Sequence, residues 1–171
     1  MNETLKTILT RRSTRKFLNK PIPAEDLDLI VQAALHAPSG MGKQTWQFTV
    51  VKNRDKIQKL AAVIGEVLGR EGYDMYAPEV LVIPSNEKES RFGREDDACA
   101  MENIFLAAHS LGIGSVWINQ LQNICDDPKI RAELTALGIP ADHVVYGLAA
   151  LGYPDDVKSE KARSGEVVVV E

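Results

Sequence analysis

The sequence predicts an α+β fold in one domain covering residues 1–171. Three observations carry that expectation. The chain has 171 residues, 44% of them hydrophobic and 26% charged, which suits one globular domain with a substantial core. Segments with helical apolar spacing are interspersed with short apolar runs of strand character. Their order is irregular, without strict strand–helix–strand repetition, so helices flanking a sheet are expected rather than a doubly wound parallel fold.

Leu5, Ile8 and Leu9 have helical spacing and predict a short helix over 3–10. A clearer helix covers 24–36, with Leu27, Ile30, Val31, Ala34 and Leu35 on one face and Pro38 just beyond its end. Residues 48–51 read as a strand. Asn53 is placed to cap a helix over 53–69, whose apolar face is Ile57, Leu60, Ala61, Ile64 and Leu68. The continuous apolar run 80–83 predicts a strand buried on both faces. A long helix is expected over 90–111, with Ser90 as its cap, early acids Glu95, Asp96 and Asp97 at its positive end, and Ala98, Met101, Phe105 and Ala108 as its buried stripe. Cys99, on the same helix, reads as a small core residue. Gly112-Ile113-Gly114 then breaks the chain before a strand at 115–118. A helix over 127–137 and a strand over 144–151 complete the order. The tail ends in four valines, Val167 to Val170.

Composition excludes several function classes. A net charge of −4 argues against general nucleic-acid affinity, which needs clustered Lys and Arg. Cys99 and Cys125 form no CxxC pair, and no Cys/His spacing resembles a metal site, so free thiols in a reducing cytoplasm are expected. No apolar run is long enough to cross a bilayer, and the polar start Met1-Asn2-Glu3-Thr4 lacks the apolar stretch of a signal peptide. His36, His109 and His143 read as structural.

Three stretches carry the chemistry. Arg11, Arg12, Arg15 and Lys16 place four positive charges in six residues around Ser13. In an extended chain Arg11, Ser13 and Arg15 point to one side, an arrangement suited to a phosphate ester, although on the cluster alone a solvated helix end is the favoured reading. The second stretch is Ala37-Pro38-Ser39-Gly40-Met41-Gly42-Lys43-Gln44-Thr45-Trp46. Its glycines permit close backbone approach to a flat ligand, and Ser39 and Gln44 offer hydrogen bonds. The third is Gly152-Tyr153-Pro154, followed by Lys161-Ala162-Arg163.

In this order, and with Leu111 to Gly114 leading into Ser115-Val116-Trp117-Ile118, these stretches resemble the FMN-dependent nitroreductase family over almost the whole chain. The resemblance implies a mixed sheet flanked by helices, a homodimer with FMN at its interface, and a C-terminal strand exchanged between subunits. Two departures stand out. Gly42 occupies the position of the family's Asn, and Thr45 that of a Pro.

The resemblance also implies roles. Arg11, Arg12 and Ser13 would hold the FMN phosphate and ribityl chain, with Lys161 and Arg163 approaching the same phosphate. Arg15 would lie at the pyrimidine edge of the flavin. Trp117, Ile118, Asn119 and Gln120 would line the ring, with a backbone N–H of Asn119 or Gln120 donating to N5. Pro38, Ser39, Gly40 and Gly42 would come from the other subunit, and Gln44 belongs to the same cofactor-binding loop. No side chain is expected to be catalytic, because the flavin accepts hydride from NAD(P)H and passes it to a nitroaromatic, quinone or similar small oxidant. The same motifs admit a flavin reductase or dehalogenase-type enzyme, and a non-catalytic flavin-binding sensor or storage protein.

Overall fold

In the computed structural model, which describes residues 1–155 and 162–171, a central sheet separates two helical layers. The elements run α1 (Glu3–Thr10), α2 (Ala24–Leu35), β1 (Trp46–Val51), α3 (Arg54–Leu68), β2 (Val80–Glu87), α4 (Gly93–Ser110), β3 (Gly114–Ile118), α5 (Pro128–Ala136), β4 (His143–Val144) and β5 (Leu148–Gly152). Short 3-10 turns at Gly40–Gly42 and Gln120–Asn123 lie between them. The strand order is β1-β2-β5-β3, with β4 added to the end of β2. These five strands pair antiparallel throughout, not as the mixed sheet expected. The parallel contact is an isolated bridge between Ser13 and Ser115.

Alternation along the central strands divides the core in two. Leu81 and Ile83 of β2 and Leu148 and Ala150 of β5 face α3 and α5, among Ile57, Leu60, Ile64, Ile130 and Leu134. Val80, Val82, Ala149 and Leu151 face α2 and α4, among Ile30, Ala34, Met101, Ile104 and Ala108. Both central strands are therefore apolar at consecutive positions, which is why 80–83 is readable as doubly buried. Asn53 caps α3 by accepting from the Lys56 N–H at 3.0 Å, and Asp127 caps α5 by accepting from the Lys129 N–H at 2.9 Å.

Four expectations are corrected. Ser90 does not cap the long helix: α4 begins at Gly93, and the Ser90 hydroxyl instead lies 3.1 Å from Thr45 Oγ1, to which it can donate. Ala98 and Cys99 are exposed; the buried face of α4 is Ala100, Met101, Ile104, Phe105 and Ala108, preceded by Asp96 and Asp97. Leu35 lies outside the buried face of α2. The strand expected over 144–151 is broken between Val144 and Leu148, where Gly147 packs against Trp117: a Cβ there would fall 2.4 Å from the indole.

Two apolar surfaces are uncovered in the single chain. Leu5, Ile8 and Leu9 of α1 are each about half exposed. Val167 to Val170 are almost fully exposed and form no strand.

Candidate flavin site

The basic segment is extended and stitched to the sheet by backbone hydrogen bonds. Thr14 N–H donates to the Ser115 carbonyl at 2.8 Å, Leu18 N–H to the Tyr153 carbonyl at 2.8 Å, and Asp155 N–H to the Lys16 carbonyl at 3.0 Å. The contact is too close for larger residues. A Cβ on Gly114 would lie 2.6 Å from Thr14, and one on Gly152 2.8 Å from Phe17. The two glycines thus let the segment bind along the ends of β3 and β5, which places it beside the strand end that carries Trp117.

Arg11 and Ser13 consequently line one cavity of about 190 Å³, together with Glu102, Phe105, Ser115, Val116 and Trp117. Arg11 Nε lies 3.8 Å from Glu102 Oε1. The Trp117 indole is partly exposed and packs against Phe105, with ring centroids 6.0 Å apart. Ile118, next in β3, is buried on the opposite face of the sheet, in the core with α3 and α5. Asn119 is exposed at the entry to the following 3-10 turn, and the Gln120 side-chain oxygen is buried without a protein partner.

Not every expected phosphate ligand converges there. Arg12 turns back, and its Nη1 donates to the Leu9 and Arg11 carbonyls at 3.0 and 2.9 Å, closing the C-terminal end of α1. Its Nε is buried and unpartnered. Arg15 does not line the cavity; its guanidinium stands 5.9 Å from the centroid of the Tyr76 ring. Arg163 lies on an exposed, irregular segment, and Lys161 falls outside the described residues. His109 Nε2 lies 2.9 Å from the Thr10 hydroxyl. Burial, reinforced by Arg11 and Arg12, holds the His109 pKa below its usual value.

The second stretch is a strained loop. Met41 and Gln44 adopt φ of 57° and 51°, the left-handed region that side chains other than Gly seldom enter, with Gly42 at 66° between them. Two carboxylates at the start of α4 fix it. Asp96 Oδ2 accepts from the Ser39 hydroxyl and Oδ1 from the Gly40 N–H, both at 2.8 Å. Ser39 Oγ accepts in turn from the Gln44 N–H at 2.9 Å. At the far end Thr45 Oγ1 donates to Asn86 Oδ1 at 2.6 Å, and Asn86 Nδ2 donates to Asp97 Oδ1 at 2.9 Å. Burial pushes the Asp97 carboxyl up to about 7; the Asn86 bond opposes the shift and the neighbouring Asp96 charge adds to it. Pro38 and Gly42 are exposed.

Sequence reading missed Glu102, Tyr76, Asn86 and the true place of Asp96 and Asp97. The acids look like ordinary helix-dipole residues on the surface. The one signal against that is their position one turn before Ala100 and Met101, on the buried face.

The nitroreductase family model matches residues 8–153, from α1 to the end of β5, and the chain belongs to that family. The crystal structure of a nitroreductase with bound FMN from Bacteroides fragilis is 43% identical, with a TM-score of 0.91 over 100% of both chains. A nitroreductase with bound FMN from Desulfitobacterium hafniense is 27% identical, with a TM-score of 0.88 and the same full coverage. An NADPH-flavin oxidoreductase of Vibrio harveyi is 32% identical over 99% of this chain and 73% of its own length.

The residues present suit FMN. Arg11 and Ser13 offer charge-assisted and hydroxyl bonds to a phosphate, and Trp117 offers a flat apolar neighbour. At 190 Å³ the cavity of the single chain is smaller than the about 300–1,000 Å³ of ordinary small-molecule sites.

Proposed function

We propose that this protein is an FMN-dependent NAD(P)H oxidoreductase that acts as a homodimer and reduces a small oxidant such as a nitroaromatic or quinone. The carrying observation is the convergence of Arg11 and Ser13 with Trp117 in one cavity at the end of β3. FMN, when bound, supplies the hydride-accepting and hydride-donating chemistry. The chain's own residues bind and orient. Arg11 and Ser13 hold the phosphate and ribityl chain, and Lys161 and Arg163 add charge to the same phosphate. Arg12 contributes indirectly, by fixing the end of α1 from which Arg11 projects. Arg15 supplies a fixed cation at the pyrimidine edge, where negative charge is stabilised. A backbone N–H of Asn119 or Gln120 donates toward N5, while Trp117 and the backbone of Ile118 form the wall beside the ring. Pro38, Ser39, Gly40, Gly42 and Gln44 belong to the loop that serves the flavin of the other subunit.

The dimer reading rests on surfaces that a monomer leaves wet. Leu5, Ile8 and Leu9 stand exposed on α1, beside a groove of about 340 Å³ lined by Thr7, Ile8, Leu106 and Ala107. The exposed valines 167–170 suit pairing with a partner's sheet, which would exchange the C-terminal segment between subunits. Size-exclusion chromatography of a flavin-loaded protein is expected to give a dimer, and a folded, flavin-loaded monomer would contradict it. No helix among the described residues is long and apolar enough to cross a membrane. We place the protein in the cytoplasm, in keeping with Cys99 and Cys125 as free thiols.

Likeness to the Vibrio harveyi NADPH-flavin oxidoreductase favours a second reading, in which free flavin is the oxidant. Stopped-flow reduction of the holoprotein by NADH and by NADPH, followed by a panel of nitroaromatic, quinone and free-flavin acceptors, separates the two. Rapid reduction with turnover on at least one acceptor is expected. A holoprotein whose flavin neither nucleotide reduces contradicts the enzymatic reading and leaves a flavin-binding sensor or storage role.

A further inference from the structure

The loop 39–44 combines three features that seldom occur together without a holding device. Met41, Gly42 and Gln44 all have positive φ, and two of them carry side chains. Met41 is 82% exposed, so its own packing does not hold it there. Gly40 is pinned between groups: its N–H is bonded to Asp96, and a Cβ on it would meet Phe92 at 2.4 Å. Strained backbone persists where its surroundings over-determine it. Here one buried side chain makes the direct polar contacts to the start of the loop. Asp96 is 4% exposed, sits in the first turn of α4, and spends both oxygens on the loop. Through Ser39 Oγ it also orders the acceptor for the Gln44 N–H, so this carboxylate is tied to the chain on both sides of Met41 and Gly42.

We propose that Asp96 is a positioning residue: by accepting from Ser39 Oγ and Gly40 N it holds loop 39–44 in the strained shape that presents Met41 and Gly42 to the flavin. The role rests on the reading that this loop faces FMN. It gives that reading a physical basis in a chain where Gly42 has no side chain with which to make the contact. The carboxylate fixes where the loop backbone lies; it touches no reacting atom.

The test uses full-length apoprotein and added FMN, with two readouts. Binding is followed by flavin fluorescence, and loop closure by hydrogen exchange of the Gly40 amide. Asp96→Ala is expected to raise the FMN Kd by about tenfold or more and to remove protection of the Gly40 amide. Asp96→Asn, which keeps one acceptor oxygen for Gly40, is expected to fall between it and wild type in both readouts. If Asp96→Ala does not fold, Ser39→Ala takes its place and is expected to raise Kd several-fold, because it removes one Asp96 bond and the Gln44 acceptor together. Loss of Gly40 protection with an unchanged FMN Kd would overturn the proposal, as would a protected Gly40 amide in Asp96→Ala. Wild-type protein that binds no FMN at all contradicts the flavin reading itself; the exchange readout still reports whether the clamp exists.

Discussion

The two segments assigned to the flavin are built in opposite ways. Segment 11–17 is extended, lies along the sheet, and is held by backbone hydrogen bonds to Ser115, with Lys16 and Leu18 continuing the pairing to Asp155 and Tyr153. Loop 39–44 is left-handed at three positions and is held by side chains, chiefly Asp96. The first tolerates change in side chains as long as Gly114 and Gly152 stay small. The second depends on a few buried polar atoms. Side-chain substitutions in segment 11–17 should therefore alter binding without altering fold, whereas substitutions around the loop should alter both.

The largest expected effect is Arg11→Ala. Removing a charge-assisted phosphate contact should weaken FMN binding by about 10- to 100-fold, with thermal stability nearly unchanged. Arg15→Ala should leave affinity within a few-fold and instead slow flavin reduction in stopped-flow. Equal losses of affinity with unchanged reduction rates in both variants would remove the division of roles within the segment.

Next is Gly40→Ala, which drives a methyl group into Phe92. A cost of about 1–3 kcal/mol is expected, read as a lowered Tm. Adding Phe92→Ala should recover less than its own cost as a single change predicts, because the two sites share one contact. Strict additivity would mean that the loop moves away freely and is not pinned.

A smaller effect concerns pH. In the unfolded chain Asp97 titrates near 3.8, whereas in the fold it keeps its proton to about 7. Between those values the folded state holds the extra proton, so this group's contribution to stability falls as pH rises through that window and levels off above it. Asp97→Asn removes the titration and retains an acceptor for Asn86. Its Tm advantage over wild type should grow from pH 4 to pH 7 and then stay constant. A pH-independent difference would show that Asp97 is charged throughout.

The smallest is Gly42→Asn, which restores the family residue. The position is open and left-handed, a conformation Asn tolerates, so stability should change by only about 0.5 kcal/mol. FMN affinity should rise if the amide recovers a contact. A fall in affinity would show that the loop backbone already occupies that place.

What the sequence made legible follows from how local each cause is. Helices α2 and α3 announce themselves because one face is buried and its spacing is regular, and the caps Asn53 and Asp127 act within their own turn. β2 is legible because both its faces are covered. The break at Tyr146-Gly147 is not legible because the close neighbour of Gly147 there is Trp117, thirty residues away in the chain. The N-terminal part of α4 was misread for the same reason. Asp96 and Asp97 look solvated until the loop they hold is folded onto them, and Cys99 looks buried until the helix is rotated by its real contacts. For the site, Arg11, Ser13 and Trp117, which the motifs group together, line one cavity because all three sit on or beside the sheet. Motif order did not separate Arg12 from Arg11, because the direction a side chain takes at a helix end is decided by the free carbonyls of Leu9 and Arg11.

The central claim is that the Arg11–Ser13–Trp117 cavity is one half of an FMN site. The most direct measurement is titration of the full-length apoprotein with FMN, read by fluorescence and by the visible spectrum of the washed complex. Saturation at one FMN per chain is predicted, giving a yellow protein that releases FMN on denaturation. A colourless protein that takes up no added FMN would contradict the account.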